Sequence, residues 1–236
     1  MLYKLNNSLE LLFYLQNGGN LPSNFICIAS GEYVVNWGLF RDNLGFIYLC
    51  FSGVNDVKDV ISLLDCTIRK RSEGGIVSDP FQVFVNIKNQ IDINPSTNID
   101  FICGYSTGAV IATYYQYYVN KSNDTNVYLL SSFRPGDQNF SNSYDLLYYN
   151  NTYRFALQGD VITNLPVYGY HVGSPYTFVK SQLIKDWDFT LPFWDDPKFY
   201  VLSLFIIIVY GLSLYLRLIP NKHDLSNYKN QILSSS

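Results

Sequence analysis

Charge is scarce in this 236-residue chain: Asp, Glu, Lys and Arg make up 15% of it, well under the usual quarter. Sixteen Lys and Arg against nineteen Asp and Glu leave a net charge of −3. No basic stripe is available to neutralise phosphates, which excludes the common modes of nucleic-acid recognition. Histidine is scarcer still, at two, and none of the four cysteines (Cys27, Cys50, Cys66, Cys103) forms a C-x-x-C. A structural zinc site needs four N or S ligands and is excluded with them. Cys27, Cys50 and Cys103 each lie in a short apolar run and read as buried reduced thiols. No internal repeat is present, and the N-terminus lacks the unbroken apolar core of a signal peptide. In Met1–Gln16, Leu5, Leu9, Leu12 and Phe13 recur at helical spacing between Asn6, Asn7 and Glu10. That spacing predicts an amphipathic helix, ended by Gly18-Gly19-Asn20 and Pro22. Sequons at Asn6, Asn120, Asn123, Asn139 and Asn150 carry no weight in so Asn-rich a chain.

Apolar material is plentiful. Hydrophobic residues make up 48% and aromatics 17%, enough to bury a sizeable core and to exclude disorder for the bulk of the chain. A mean hydropathy of +0.02, with so little charge, points toward membrane association. Phe25–Ala29 is a short apolar run. Tyr33–Phe40 and Gly45–Phe51 flank Arg41-Asp42-Asn43-Leu44 as the arms of a hairpin. Helical spacing marks Asp56–Asp65, Pro80–Ile93 and Ala109–Val119; strands are predicted at Asn98–Cys103, Val127–Ser131 and Tyr153–Leu157. Strands alternating with helices predict an α/β fold with a largely parallel sheet over residues 1–196.

Residues 197–219 change character. The eighteen residues Phe199–Leu216 carry no charge; at about 1.5 Å per residue such a helix approaches the roughly 30 Å of a bilayer's hydrocarbon core. The expectation is a hydrophobic, membrane-associated or transmembrane helix, in a membrane-associated and possibly single-pass protein. Trp187, Phe189, Phe193 and Trp194 before it suit an interfacial belt or plain packing. A polar tail, 220–236, follows.

The most informative stretch is Ile99–Val110. It reads strand, then Gly104-Tyr105-Ser106-Thr107-Gly108, then helix. A sharp strand-to-helix turn pushes a serine hydroxyl above the sheet, with glycines where a Cβ would clash and helix amides facing a developing oxyanion. The plain alternative is a Gly-rich βα turn of an unrelated doubly wound fold. Asp160 just past the strand Tyr153–Leu157 stands where active sites of open α/β sheets gather; its plain reading is a turn Asp after Gly159.

These residues carry a resemblance. Phe51-Ser52-Gly53-Val54 with Asp59 resembles the F-R-G-T block, with its downstream D-W, of the class 3 (fungal-type) lipases. Gly104–Gly108 resembles their G-H-S-L-G, and Arg134-Pro135-Gly136-Asp137 with Phe140 their P-R-V-G-D/N. Asp160–Pro166 resembles D-x-V-P-x-L-P, with Gly169-Tyr170-His171 after it as G-y-x-H. His223–Tyr228 resembles the closing H-x-x-x-x-Y. The resemblance implies an α/β-hydrolase fold and a serine esterase of lipids: Ser106 as nucleophile, Asp160 as orienting acid, and the amides of Thr107 and Val54 as the oxyanion hole. It implies no metal or organic cofactor, and an acyl-ester lipid as substrate. Ser52 departs from the family's Arg, Val54 from its hydroxyl residue and Thr107 from its Leu; Val54 keeps the amide but not the hydroxyl. The base is His223 by the resemblance, with His171 as the alternative; their plain readings are a solvated tail residue and a polar residue beneath the site. A simple membrane span at 199–218 would separate His223 from Ser106, so that segment must then lie in the interface, re-enter or pack on the domain. A second class of function stays open: a catalytically inactive, hydrolase-like membrane module that binds lipid or a protein partner.

Overall fold

The computed structural model describes residues 2–54, 68–91, 97–157, 160, 162–166, 168–179, 182–185 and 224–234. Its centre is an eight-stranded mixed sheet, in the order β1 (Phe25–Glu32), β2 (Val35–Asp42), β3 (Ile47–Val54), β6 (Phe101–Tyr105), β7 (Asn126–Leu130), β8 (Thr152–Leu157), β9 (Ser174–Val179) and β10 (Gln182–Lys185). The run β3 to β9 is parallel; β1 and β2 on one edge and β10 on the other pair antiparallel. A small hairpin, β4 (Ile68–Arg71) and β5 (Gly74–Val77), stands apart from the sheet.

The hairpin read at Arg41–Leu44 is the β2–β3 turn. Asp42 Oδ1 accepts from the amides of Leu44 (3.0 Å) and Phe46 (2.9 Å). Gly45 supplies the positive φ of 91° that closes it. Asp100, the polar interruption of an otherwise apolar strand, takes the Ile47 amide at 2.7 Å and ties the start of β6 to β3.

Helices α1 (Leu2–Asn17), α2 (Ser78–Lys88), α3 (Thr107–Tyr115), α4 (Gln138–Tyr148) and α5 (Leu225–Ser234) flank the sheet. Buried residues of α2, α3 and α4 share one core with one face of the sheet, and those of α1 and α5 share a second core with the other. In α1, Leu5, Leu9 and Leu12 are buried as their spacing predicts. Asn7 and Ser8 are buried with them. Asn7 donates to the Tyr48 hydroxyl at 3.2 Å, and Ser8 donates to the Lys4 carbonyl at 2.9 Å, so neither polar group is desolvated unpaired. Helix α2 stops at Lys88, five residues short of the helix expected to Ile93, and α3 begins two residues ahead of Ala109 and passes into a π-helical turn, Gln116–Asn120. The helix expected at Asp56–Asp65 lies outside the described residues.

Two expectations are corrected. Cys27 is exposed rather than buried, because β1 is an edge strand and its register shifts between Cys27 and Ala29; Cys50 and Cys103 are buried. The membrane helix is corrected too: among the described residues no helix is long and apolar enough to cross a membrane. The C-terminal helix that is described, α5, has ten residues, about half the length a span needs. With the transmembrane helix go the membrane partner and the membrane-associated, single-pass location drawn from it. Segment 199–218 and the aromatic residues before it lie outside the described residues.

The elbow turn depends on two glycines. A Cβ on Gly104 would stand 2.3 Å from the Gly108 carbonyl oxygen; one on Gly108 would stand 2.1 Å from the Ser52 oxygen and 2.3 Å from the Phe51 oxygen. These are backbone atoms of adjacent elements and cannot swing away. Gly108→Ala is therefore expected to lower stability by about 1–3 kcal/mol, a Tm loss of several degrees in thermal denaturation. An unchanged Tm would contradict the close approach of α3 to β3.

Candidate active site

Ser106 sits between β6 and α3 with φ 55° and ψ −122°, a conformation that a non-glycine residue seldom adopts. Its amide donates to the Leu130 carbonyl on β7 (2.9 Å), and its carbonyl accepts from Ala109 (3.0 Å), so both sides of the turn are fastened. The residue is 5% exposed. Thr107 opens α3 directly after it, in the position from which a helix N-terminus directs its amides. The close contact of Gly108 with Phe51 and Ser52 brings the end of β3, where Val54 lies, against this first turn.

The end of β3 is held by residues the sequence did not flag. Gln16 Nε2 donates to the Val54 carbonyl at 3.3 Å, and Asn36 Nδ2 donates to the Leu15 carbonyl at 2.8 Å. Ser52, standing where the family has Arg, accepts from the Asn36 amide and donates to the Gly53 carbonyl, both at 2.9 Å. The C-terminal turn of α1 thus fixes the strand end that carries Val54.

Asp160 lies beyond the C-terminal end of β8 and is 4% exposed. Its Oδ2 accepts from the hydroxyl of Ser131, at the end of β7, and from the phenol of Tyr228 on α5 at 3.3 Å. Its Oδ1 accepts from the Ile162 amide at 3.2 Å. Tyr228 in turn accepts from the Leu157 amide at 3.0 Å. Burial, and then the Asp160 charge, push the Tyr228 phenol well above its ordinary range, so it stays a donor. Tyr105, the residue before Ser106, is raised by burial and then by the carboxylates of Asp160 and Asp224, while the backbone amide of Leu225 acts on its hydroxyl in the opposite sense. The start of α5 therefore reaches the elbow at residues 224 and 225. No sequence signal linked Ser131 to Asp160; Tyr228 was visible only as the end of a motif.

The two histidines differ. His223 lies outside the described residues, one peptide unit before Asp224. His171 is half-buried and fastened to the other layer: its carbonyl accepts from Ser141 on α4. Burial, then the guanidinium charges of Arg154 and Arg134, hold its imidazole well below the ordinary His range, against a bond to the Thr163 backbone that pulls the other way. The imidazole is thus neutral and bonded to the loop after Asp160.

Strand, elbow, helix and a buried carboxylate at the sheet's C-terminal edge define an α/β hydrolase of the serine type. The family model for class 3 lipases matches residues 48–169, from the start of β3 to the loop before His171. The chain belongs to the class 3 lipase family, and it is a hydrolase of carboxylic esters. No curated protein matches it in sequence. Among solved structures it is similar to a lipase from Rhizopus microsporus var. chinensis, with TM-score 0.62, 16% identity, and coverage of 75% of this chain and 74% of that one. The Rhizomucor miehei lipase in complex with its propeptide gives TM-score 0.62 and 17% identity over 78% and 69% of the two chains. A lipase from Yarrowia lipolytica gives TM-score 0.61 and 18% identity over 75% and 78%. At these identities the likeness is one of fold.

Below the site, Asp145 on α4 accepts the Gly173 amide at 2.7 Å. Burial pushes its carboxyl from 3.8 up to about 6, against the downward pull of that bond and of Arg154. The folded state thus keeps this proton to higher pH than the unfolded chain does. The stabilisation is full below about 3.8 and is lost as pH rises through about 6. Asp145→Asn keeps an acceptor for Gly173 and removes the charge. Its urea midpoint is expected to exceed that of the parent near neutral pH and to lose the fall between those two pH values. A lower midpoint at neutral pH would refute this account of Asp145.

Proposed function

We propose that the chain cleaves acyl esters of lipids through a triad of Ser106, Asp160 and His223, with the amides of Thr107 and Val54 as the oxyanion hole. The observation that carries this reading is the left-handed Ser106 at the head of α3, together with a buried Asp160 that the Tyr228 phenol of α5 bonds. Helix α5 begins two residues after His223, and its start acts on Tyr105, next to the nucleophile. That arrangement favours His223 over His171, which is neutral, bound to the Thr163 backbone and fastened to α4.

The chemistry follows from these roles. Ser106 Oγ attacks the ester carbonyl as His223 takes its proton, and the carbonyl π pair moves onto oxygen. The two amides bind that oxyanion, and Asp160 stabilises the imidazolium while holding its tautomer. The imidazolium then protonates the leaving alkoxide, and the C–O bond breaks to leave an acyl-Ser106. Water, deprotonated by the same imidazole, releases the fatty acid and restores the hydroxyl. Val54 supplies an amide without a hydroxyl to reinforce it.

Ser106→Ala is expected to abolish both labelling by a fluorophosphonate and cleavage of nitrophenyl esters, with an unchanged Tm, since the lost hydroxyl opens no core cavity. His223→Ala is expected to cost at least about 10³-fold in kcat. His171→Ala should retain most activity per labelled molecule. Labelling that survives in Ser106→Ala, or activity lost with His171 and kept without His223, would overturn the assignment.

A further inference from the structure

We propose that Ser131 is a positioning residue for this hydrolysis, acting through Asp160 and never on the substrate itself. The inference rests on the reading of Asp160 as the triad acid. Three non-glycine residues among those described have a positive φ: Ser106, Lys121 and Ser131. Lys121 terminates the helical turn Gln116–Asn120, a common use of the left-handed conformation. Ser106 is the elbow. Ser131, at φ 53°, ends a strand rather than a helix, and in a conformation where glycine would be unstrained it carries a side chain.

The side chain has a specific target. Ser131 is fully buried, its amide donates to the Phe155 carbonyl at 2.8 Å, and its hydroxyl donates to Asp160 Oδ2. The same hydroxyl also acts on the Tyr228 phenol, so Ser131, Tyr228 and Asp160 form one closed set. The strands explain the juxtaposition. Leu130 on β7 is in register with Phe155 on β8. Both strands end within two residues of that pair, and the left-handed turn at Ser131 brings its Cβ toward the loop that carries Asp160.

A carboxylate offers about four acceptor positions. Ser131 and Tyr228 on Oδ2 and the Ile162 amide on Oδ1 are three donors on three separate elements. Together they fix the plane of the carboxylate, and with it the direction in which a base must approach. Without the Ser131 hydroxyl the carboxylate rotates more freely, and the imidazole it orients loses its fixed direction.

A structural role and a positioning role differ in their consequences. Ser131→Gly relieves the backbone and removes the donor; Ser131→Ala keeps the backbone strain and removes the donor. If Ser131 served the fold alone, Ser131→Gly would keep the parental kcat. The expected result is that both variants fold, with the glycine variant the more stable of the two. Both should lose about 10-fold in kcat, with KM within about twofold. Parental kcat in both serine variants, beside an Asp160→Asn variant that is inactive, would overturn the inference and leave the triad standing. An Asp160→Asn variant as active as the parent would remove the triad reading itself.

Discussion

Between the first turn of α3 and the end of β3 there is no room for a Cβ at residue 108. The site depends on that contact. It sets the distance between the helix that starts after Ser106 and the strand that carries Val54. Gly104 meets the same helix from the strand side. The left-handed Ser106 is the geometric result: the chain must reverse within one residue to pass from β6 into a helix packed this closely. Such a turn is costly alone and persists because the Leu130 carbonyl and the Ala109 amide fix its two ends.

The acid half of the site is built differently. Asp160 belongs to no helix or strand, and its orientation is imposed by hydrogen bonds from β7, α5 and the Ile162 amide. A serine hydroxyl, a phenol and an amide are all neutral donors. The guanidinium groups of Arg134 and Arg154 act on His171, and that of Arg154 on Asp145 as well.

What was legible in the sequence follows this division. The elbow could be read because its requirements are local: glycines at two positions, an apolar strand before and a helix after. The β2–β3 hairpin and α1 were legible for the same reason, through Asp42, Gly45 and the leucine spacing. Helix α4 was not, because its buried side is Phe140, Tyr144 and Tyr148 amid Asn and Ser, a pattern low in aliphatic residues. The strands β4 and β5, four residues each with three charges in the first, offer no alternation to read. The clamp on Asp160 joins residues 29 and 68 positions apart, and the φ of Ser131 leaves no mark on composition. Hydropathy misled where it was used alone, at the membrane helix, and at Cys27, where an edge strand turns an apolar run outward.

The first and fifth helices share one core, and Lys229 near the end of the chain lies 4.7 Å from the Phe13 ring near its start. Helix α1 holds the end of β3 through Gln16, and α5 holds Asp160 and the end of β8 through Tyr228. The two halves of the site are thus supported by opposite ends of the polypeptide. Because α1 and α5 share that core, they brace the ends of β3 and β8 as one unit, and a change that loosens one helix loosens the support of both.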